Sequence, residues 1–226
     1  HWENVTLPHT WNAVDGMNGK GEYYRGECFY AKEFATPPLY ENTKVYLEIL
    51  AASLSSKVLL NDVEIGSHEC GFSSYTVDLT PHLSESRVNH LVIRVDNSER
   101  SHIYPQMADF TFYGGLYRGV NLILLPETHF DVSFHGAKGL AVTSEILKNG
   151  TEAILHLNSW VTNPSEDYTV RYTVTDRDGN CVAEAFRPSS APKTDILLSH
   201  PHLWQGVEDP YLYHLTATLI YRNETV

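Results

Sequence analysis

One stretch of the sequence brings together residue types that could hold a polyhydroxylated ligand. From Ala108 to Val120 it reads Ala-Asp-Phe-Thr-Phe-Tyr-Gly-Gly-Leu-Tyr-Arg-Gly-Val. A carboxylate such as Asp109 accepts hydrogen bonds from hydroxyl groups, and aromatic faces cover the apolar C–H patches of a sugar ring. Gly114-Gly115 permits positive φ or a close backbone approach, so the turn is shaped for something tight. The same residues would also suit a buried aromatic corner in which the aspartate caps its own turn. After the glycines, Leu116 to Leu125 alternates as a strand and stops at Pro126. Arg118 in that strand reads as the partner of a nearby acid.

Little else in the chain points to chemistry. Cys28, Cys70 and Cys181 are odd in number and far apart, with no Cys-x-x-Cys or Cys/His ligand spacing. Neither a zinc site nor a disulfide framework is indicated, and Cys28 and Cys70 can pair only if the fold brings them together. His200 and His202 flank Pro201 and read as structural. No Gly-x-Ser-x-Gly, P-loop or dinucleotide fingerprint occurs. A net charge of −12 argues against nucleic acid or an anionic membrane as partner. No apolar run approaches the ~20 residues of a membrane span. The chain opens on His1 with no initiator Met or signal-type segment, which reads as a trimmed start and leaves localisation unknown.

The elements that must position Asp109 are strands. At 226 residues the chain can hold one large or two medium domains. Leu7-Pro8-His9-Thr10-Trp11-Asn12 is an extended opening, and the Gly-rich stretch Asp15–Gly26, with Tyr23-Tyr24, is a loop that either borders a ligand or simply covers the surface. Alternation predicts strands over Cys28–Phe34, Val45–Leu50, Tyr75–Thr80 and Asn89–Asp96, and a hairpin over Lys57–Gly66 turning at Asn61-Asp62. Short strands with turn residues between them and no sustained helical period predict an all-β sandwich or jelly roll. Pro126-Glu127-Thr128 breaks the pattern, dividing the chain into 1–127 and 128–226. The second module has the size of an immunoglobulin-like sandwich. Its predicted strands are Phe130–Phe134, Ala153–Val161, Thr169–Thr175, Cys181–Phe186, Thr194–Leu198 and Tyr213–Tyr221. A hairpin turns at Asp176–Asn180, and Trp204 and Tyr211 are expected to wedge under the last strand.

Asp-Phe-x-x-Tyr-x-Gly-Leu-Tyr-Arg-x-Val resembles the segment that closes the N-terminal sugar-binding domain of glycoside hydrolase family 2, which holds β-galactosidases, β-glucuronidases and β-mannosidases. Three further stretches are similar to that family in the same order. They are Leu-Pro-His-Thr-Trp-Asn with the following Tyr-Tyr-Arg-Gly, the hairpin followed by His68, Gly71 and Phe72, and the exit from His202 through Tyr213. The resemblance implies a galactose-binding-like jelly roll followed by an immunoglobulin-like sandwich.

It also implies a role. In the galactosidase and glucuronidase branches the acid at the Asp109 position touches the sugar, directly or through a bound sodium ion. Position 112 is Phe where the glucuronidase branch tends to have Asn, which turns the expectation towards β-galactosidase. Retaining hydrolysis needs two carboxylates about 5–5.5 Å apart. In this family both are glutamates on a (β/α)₈ barrel of ~200 or more residues, and nothing in these 226 residues reads as one. The expectation is therefore a non-catalytic part that caps the barrel of the same polypeptide and lends a substrate contact through Asp109. No catalytic residue and no metal ligand is expected here. No cofactor is required, sodium or magnesium being the ion a full-length enzyme would hold, and a homo-oligomer is the family habit. The alternatives are a non-catalytic carbohydrate-binding or cell-surface adhesion module, and a structural spacer if Asp109 is buried and paired.

Overall fold

Alternating residues become strands wherever one face can be buried. The computed structural model describes residues 1–15, 22–38, 42–84, 88–105, 107–134, 136–191, 193–222 and 224–225. Half of the Gly-rich stretch Asp15–Gly26, residues 16–21, lies outside the described residues. The chain divides into two compact units, His1–Pro126 and Glu127–Val226. It is all-β, a jelly-roll sandwich followed by an immunoglobulin-like one, with only two short 3₁₀ turns among the described residues.

In the first unit β1 (Glu27–Ala35), β6 (Val88–Asp96), β3 (Ser55–Leu60) and β4 (Val63–Glu69) form one antiparallel sheet in that order. β5 (Tyr75–Asp78), β2 (Thr43–Ile49) and β7 (Val120–Pro126) form the other. The inward faces supply the core, with Val45, Leu47 and Ile49 of β2 meeting Val58, Leu60, Ile93 and Val95 of the other sheet. Asn61 and Asp62 turn the β3–β4 hairpin at φ 51° and 67°, the left-handed values that these two residue types tolerate best. The three cysteines are free. Cys28 shares a row with Val95, Ser56 and His68 across four strands. Three strand spacings, roughly 14 Å, thus separate Cys28 from the strand leading to Cys70, about twice the reach of a disulfide.

In the second unit β12 (Lys193–Ser199), β9 (Glu152–Ser159) and β8 (Leu140–Leu147) face β11 (Cys181–Pro188), β10 (Tyr168–Thr175), β13 (His214–Tyr221) and β14 (Glu224–Thr225). Tyr172 is fully buried at the centre of the core, its hydroxyl 2.5 Å from Ser159 Oγ. The turn after β10 is as predicted: Gly179 adopts φ 85°, and the Asp176 carboxylate accepts from the Asp178 and Asn180 amides.

Two expectations for this unit are corrected, and one strand was not foreseen. Phe130–Phe134 is not a strand, because the Asp131 carboxylate takes the Ser133 amide and turns the chain, leaving a single bridge from Phe130 to Val161. Phe134 stacks on Trp160 instead, ring centres 3.8 Å apart. β8 carries no clean alternation and was not expected; it is an exposed edge strand held by its ladder to β9. Trp204 does not wedge under the last strand but is 62% exposed. Tyr211 packs as expected, stacked on His202 at 4.0 Å and edge-on to Tyr213.

On the outer face of β9, His156 lies between two acids, Nδ1 2.8 Å from Asp195 and Nε2 3.5 Å from Glu145. The hydrogen bond to Asp195, and then the one to Glu145, lifts this imidazole above its ordinary value. A group whose folded pKa is raised stabilises fully below its unfolded value of about 6.5 and loses that contribution as pH climbs through the folded value. The melting-temperature advantage of the wild-type chain over His156→Gln should therefore be largest near pH 6 and shrink by about pH 8. An advantage that grows with pH would contradict the ion-pair geometry.

Candidate functional site

The stretch from Met107 to Gly119 lies outside every strand, and it is held by backbone bonds from His9, Leu50 and Ser53 to its glycine-rich end and by side chains reaching it from elsewhere. Two fully buried asparagines hold it at Phe112 and Gly114. Asn97, directly after β6, donates from Nδ2 to the Phe112 carbonyl at 2.8 Å and to Asn12 Oδ1 at 3.2 Å, while its Oδ1 accepts the Gly26 amide at 2.8 Å. Asn12 accepts the Gly114 amide at 2.7 Å and donates to the Tyr24 carbonyl and Asp15. Below the second glycine, His9 Nδ1 meets Tyr30 Oη at 2.8 Å, and the same hydroxyl accepts the Leu116 amide at 3.4 Å. Burial pushes the Tyr30 phenol up to about 12, so this hydroxyl stays protonated.

Both glycines are required by contact. A Cβ on Gly114 would sit 2.0 Å from the Trp11 ring, and Gly115 combines φ 130° with the His9 carbonyl 2.5 Å from where its Cβ would be. The Leu116 carbonyl accepts the His9 amide. Leu116 therefore packs into the core while its backbone pairs with the opening segment, and β7 starts later than its alternation predicts.

The turn so held forms a pocket of about 400 Å³, lined by the rings of Phe72, Phe110, Phe112, Tyr113 and Tyr117. Thr10, Ser53 and Thr111 complete the wall. Phe72 arrives from the end of the β3–β4 hairpin, where the Tyr117 hydroxyl donates to the Gly71 carbonyl and Gly71 leaves room for Ser53. Asp109 directly precedes Phe110, is exposed, and makes no ion pair or side-chain hydrogen bond among the described residues. Among the described residues, no carboxylate, imidazole or amine belongs to the lining. Chemically the arrangement can bind: aromatic faces for an apolar ring face, and an acid beside them for hydroxyls.

Comparison with known proteins bears on what is bound. The family described as "Glycosyl hydrolases family 2" matches residues 137–226. A β-glucuronidase of Bacteroides fragilis is 30% identical over 223 residues, covering 95% of this chain and 32% of that protein. Along nearly its whole length, then, the chain aligns with enzymes of one family. The chain belongs to glycosyl hydrolase family 2.

A β-galactosidase of Bacteroides ovatus is 29% identical over 241 residues, covering 99% of this chain and 27% of that protein. The crystal structure of an FMN-binding β-glucuronidase from Faecalibacterium prausnitzii superposes with a TM-score of 0.89 at 43% identity, over 99% of this chain and 34% of that one. The chain spans about a third of the length of the family 2 relatives it matches.

Several residues named from sequence take other places than expected. Phe112, read as a marker against glucuronide, is buried, with the Arg25 guanidinium 4.8 Å over its ring and Tyr23 Oη accepting its amide. Tyr23 and Arg25 therefore brace the turn from behind, while Tyr24 is exposed. Arg118 forms no acid pair among the described residues; it reaches the Phe72 carbonyl at 3.5 Å and lies over Tyr117. Sequence reasoning missed Asn97 and Ser53. Asn97 follows a clear strand with nothing to distinguish it from a turn residue, and Ser53 has no local pattern at all. Phe72 and Tyr117 stood in recognised motifs, but the pocket they share joins positions far apart in sequence.

Proposed function

We propose that this chain is the substrate-facing, non-catalytic part of a retaining β-glycosidase whose two catalytic glutamates lie elsewhere in the same polypeptide. The observation that carries the reading is Asp109, an exposed acid next in sequence to the pocket-lining Phe110, on a segment pinned by a buried asparagine pair. Asp109 accepts hydrogen bonds from sugar hydroxyls, directly or through a sodium ion, and the aromatic wall takes the ring's apolar face. An acid with no opposing wall holds only half of a ligand, so the isolated chain should bind monosaccharide weakly or not at all.

The sugar best supported is a terminal β-glucuronide, on the 43% identity to a β-glucuronidase. A β-galactoside is the second reading, favoured by β-galactosidase relatives that match the same length of chain. The test is to assay the full-length enzyme on nitrophenyl β-glucuronide, β-galactoside and β-mannoside, wild type and Asp109→Ala in parallel. Hydrolysis of one sugar names the substrate. An intact parent that hydrolyses none of them would favour a carbohydrate-binding or adhesion module.

A further inference from the structure

Resting on that reading of Asp109, we infer that Asn97, acting with Asn12, is a positioning residue for the sugar contact. Asn97 sits directly after β6, and its primary amide is fully committed: both kinds of atom are used, and the side chain is completely buried. Its Nδ2 grips the chain at Phe112, and the same nitrogen orients Asn12, whose Oδ1 grips it again at Gly114. Tyr113 of the pocket wall is thereby held on both sides, and Asp109 lies three residues upstream of the first grip on a segment with no strand ladder. Small displacements matter here, because a charged hydrogen bond weakens steeply with distance and angle. A carboxylate about 1 Å out of place loses much of its effect on a bound sugar.

The requirement is for an amide, not merely for a group of that size. Aspartate at 97 has the same shape and still accepts the Gly26 amide, but it turns an acceptor towards the Phe112 carbonyl and Asn12 Oδ1, where the amide now donates. Asn97→Asp should therefore release the turn at Phe112 while keeping the volume of the site.

The experiment is a kinetic double-mutant cycle in the full-length enzyme, using the nitrophenyl β-glycoside that the wild type hydrolyses: Asn97→Asp, Asp109→Ala and the pair. Asn97→Asp is expected to lower kcat/KM by about 10–100-fold alone and by less than about threefold when Asp109 is already alanine, because residues acting through one contact are not additive. Equal losses in both backgrounds would make Asn97 a purely structural residue and overturn the inference while leaving Asp109 as a contact. An Asp109→Ala variant with wild-type kinetics would remove the contact itself, and the inference with it. Should Asn97→Asp fail to fold, Asn12→Ser enters the same cycle from the Gly114 end, with the same outcomes deciding.

Discussion

Replacing Gly114 with alanine is expected to destabilise the N-terminal unit by about 4 kcal/mol, lowering its melting temperature by roughly 10–20 °C. The new Cβ would lie 2.0 and 2.3 Å from two atoms of the Trp11 ring and 2.8 Å from Asn97 Nδ2. None of these can yield cheaply. Trp11 packs against the hydrophobic core, and Asn97 is fully buried with its hydrogen bonds committed. Relief requires moving the turn, which breaks the hydrogen bond from the Gly114 amide to Asn12 Oδ1 and leaves the buried Gly114 N–H without its partner, at about 1–3 kcal/mol. Overpacking adds roughly 1–3 kcal/mol. Gly179→Ala is the control, since Gly179 has φ 85° but no atom within 4 Å of a new Cβ. Left-handed strain alone should cost about 1–2 kcal/mol there. Calorimetry of the two variants beside wild type checks the claim. If Gly114→Ala is no more damaging than Gly179→Ala, Trp11 and the turn are not in the contact described.

Asp109→Ala in the full-length enzyme should lower kcat/KM by about 10²–10⁴-fold with little change in stability. A hydrogen bond to a charged group is worth roughly 1.5–3 kcal/mol. A carboxylate that accepts two sugar hydroxyls in a closed site thus supplies about 3–6 kcal/mol, and each 1.36 kcal/mol is tenfold in rate. Stability should hold because the side chain is exposed and unpaired among the described residues. Asp109→Asn keeps one acceptor oxygen and should lose less. If the contact strengthens as the sugar distorts towards its transition state, kcat falls with kcat/KM; if it is uniform, only KM rises. Wild-type kinetics in Asp109→Ala would return the segment to a structural corner.

The sequence by itself determined the fold class and most of the strands, and it marked the stretch proposed here for a sugar contact. Those features are local: period-two alternation in β2 and β6, turn residues at Asn61-Asp62 and Gly179, an acid beside aromatics at Asp109. The resemblance to family 2 rested on motifs equally local. Where local cues were weak or opposed, the reading failed. β8 has no clean alternation to report it, and Trp204 has the apolarity of a core residue without a core to enter.

Only the tertiary structure decided which residues share a place. The pocket joins Thr10, Ser53, Phe72 and Tyr117, and the amides of Asn12 and Asn97 meet across 85 positions of sequence. A hydrogen bond between distant segments leaves no periodicity behind. An asparagine in the sequence looks the same whether it caps its own turn or holds, from full burial, the loop that carries Asp109. Burial makes that difference, because a buried amide must find partners wherever the chain brings them, and burial belongs to the folded chain.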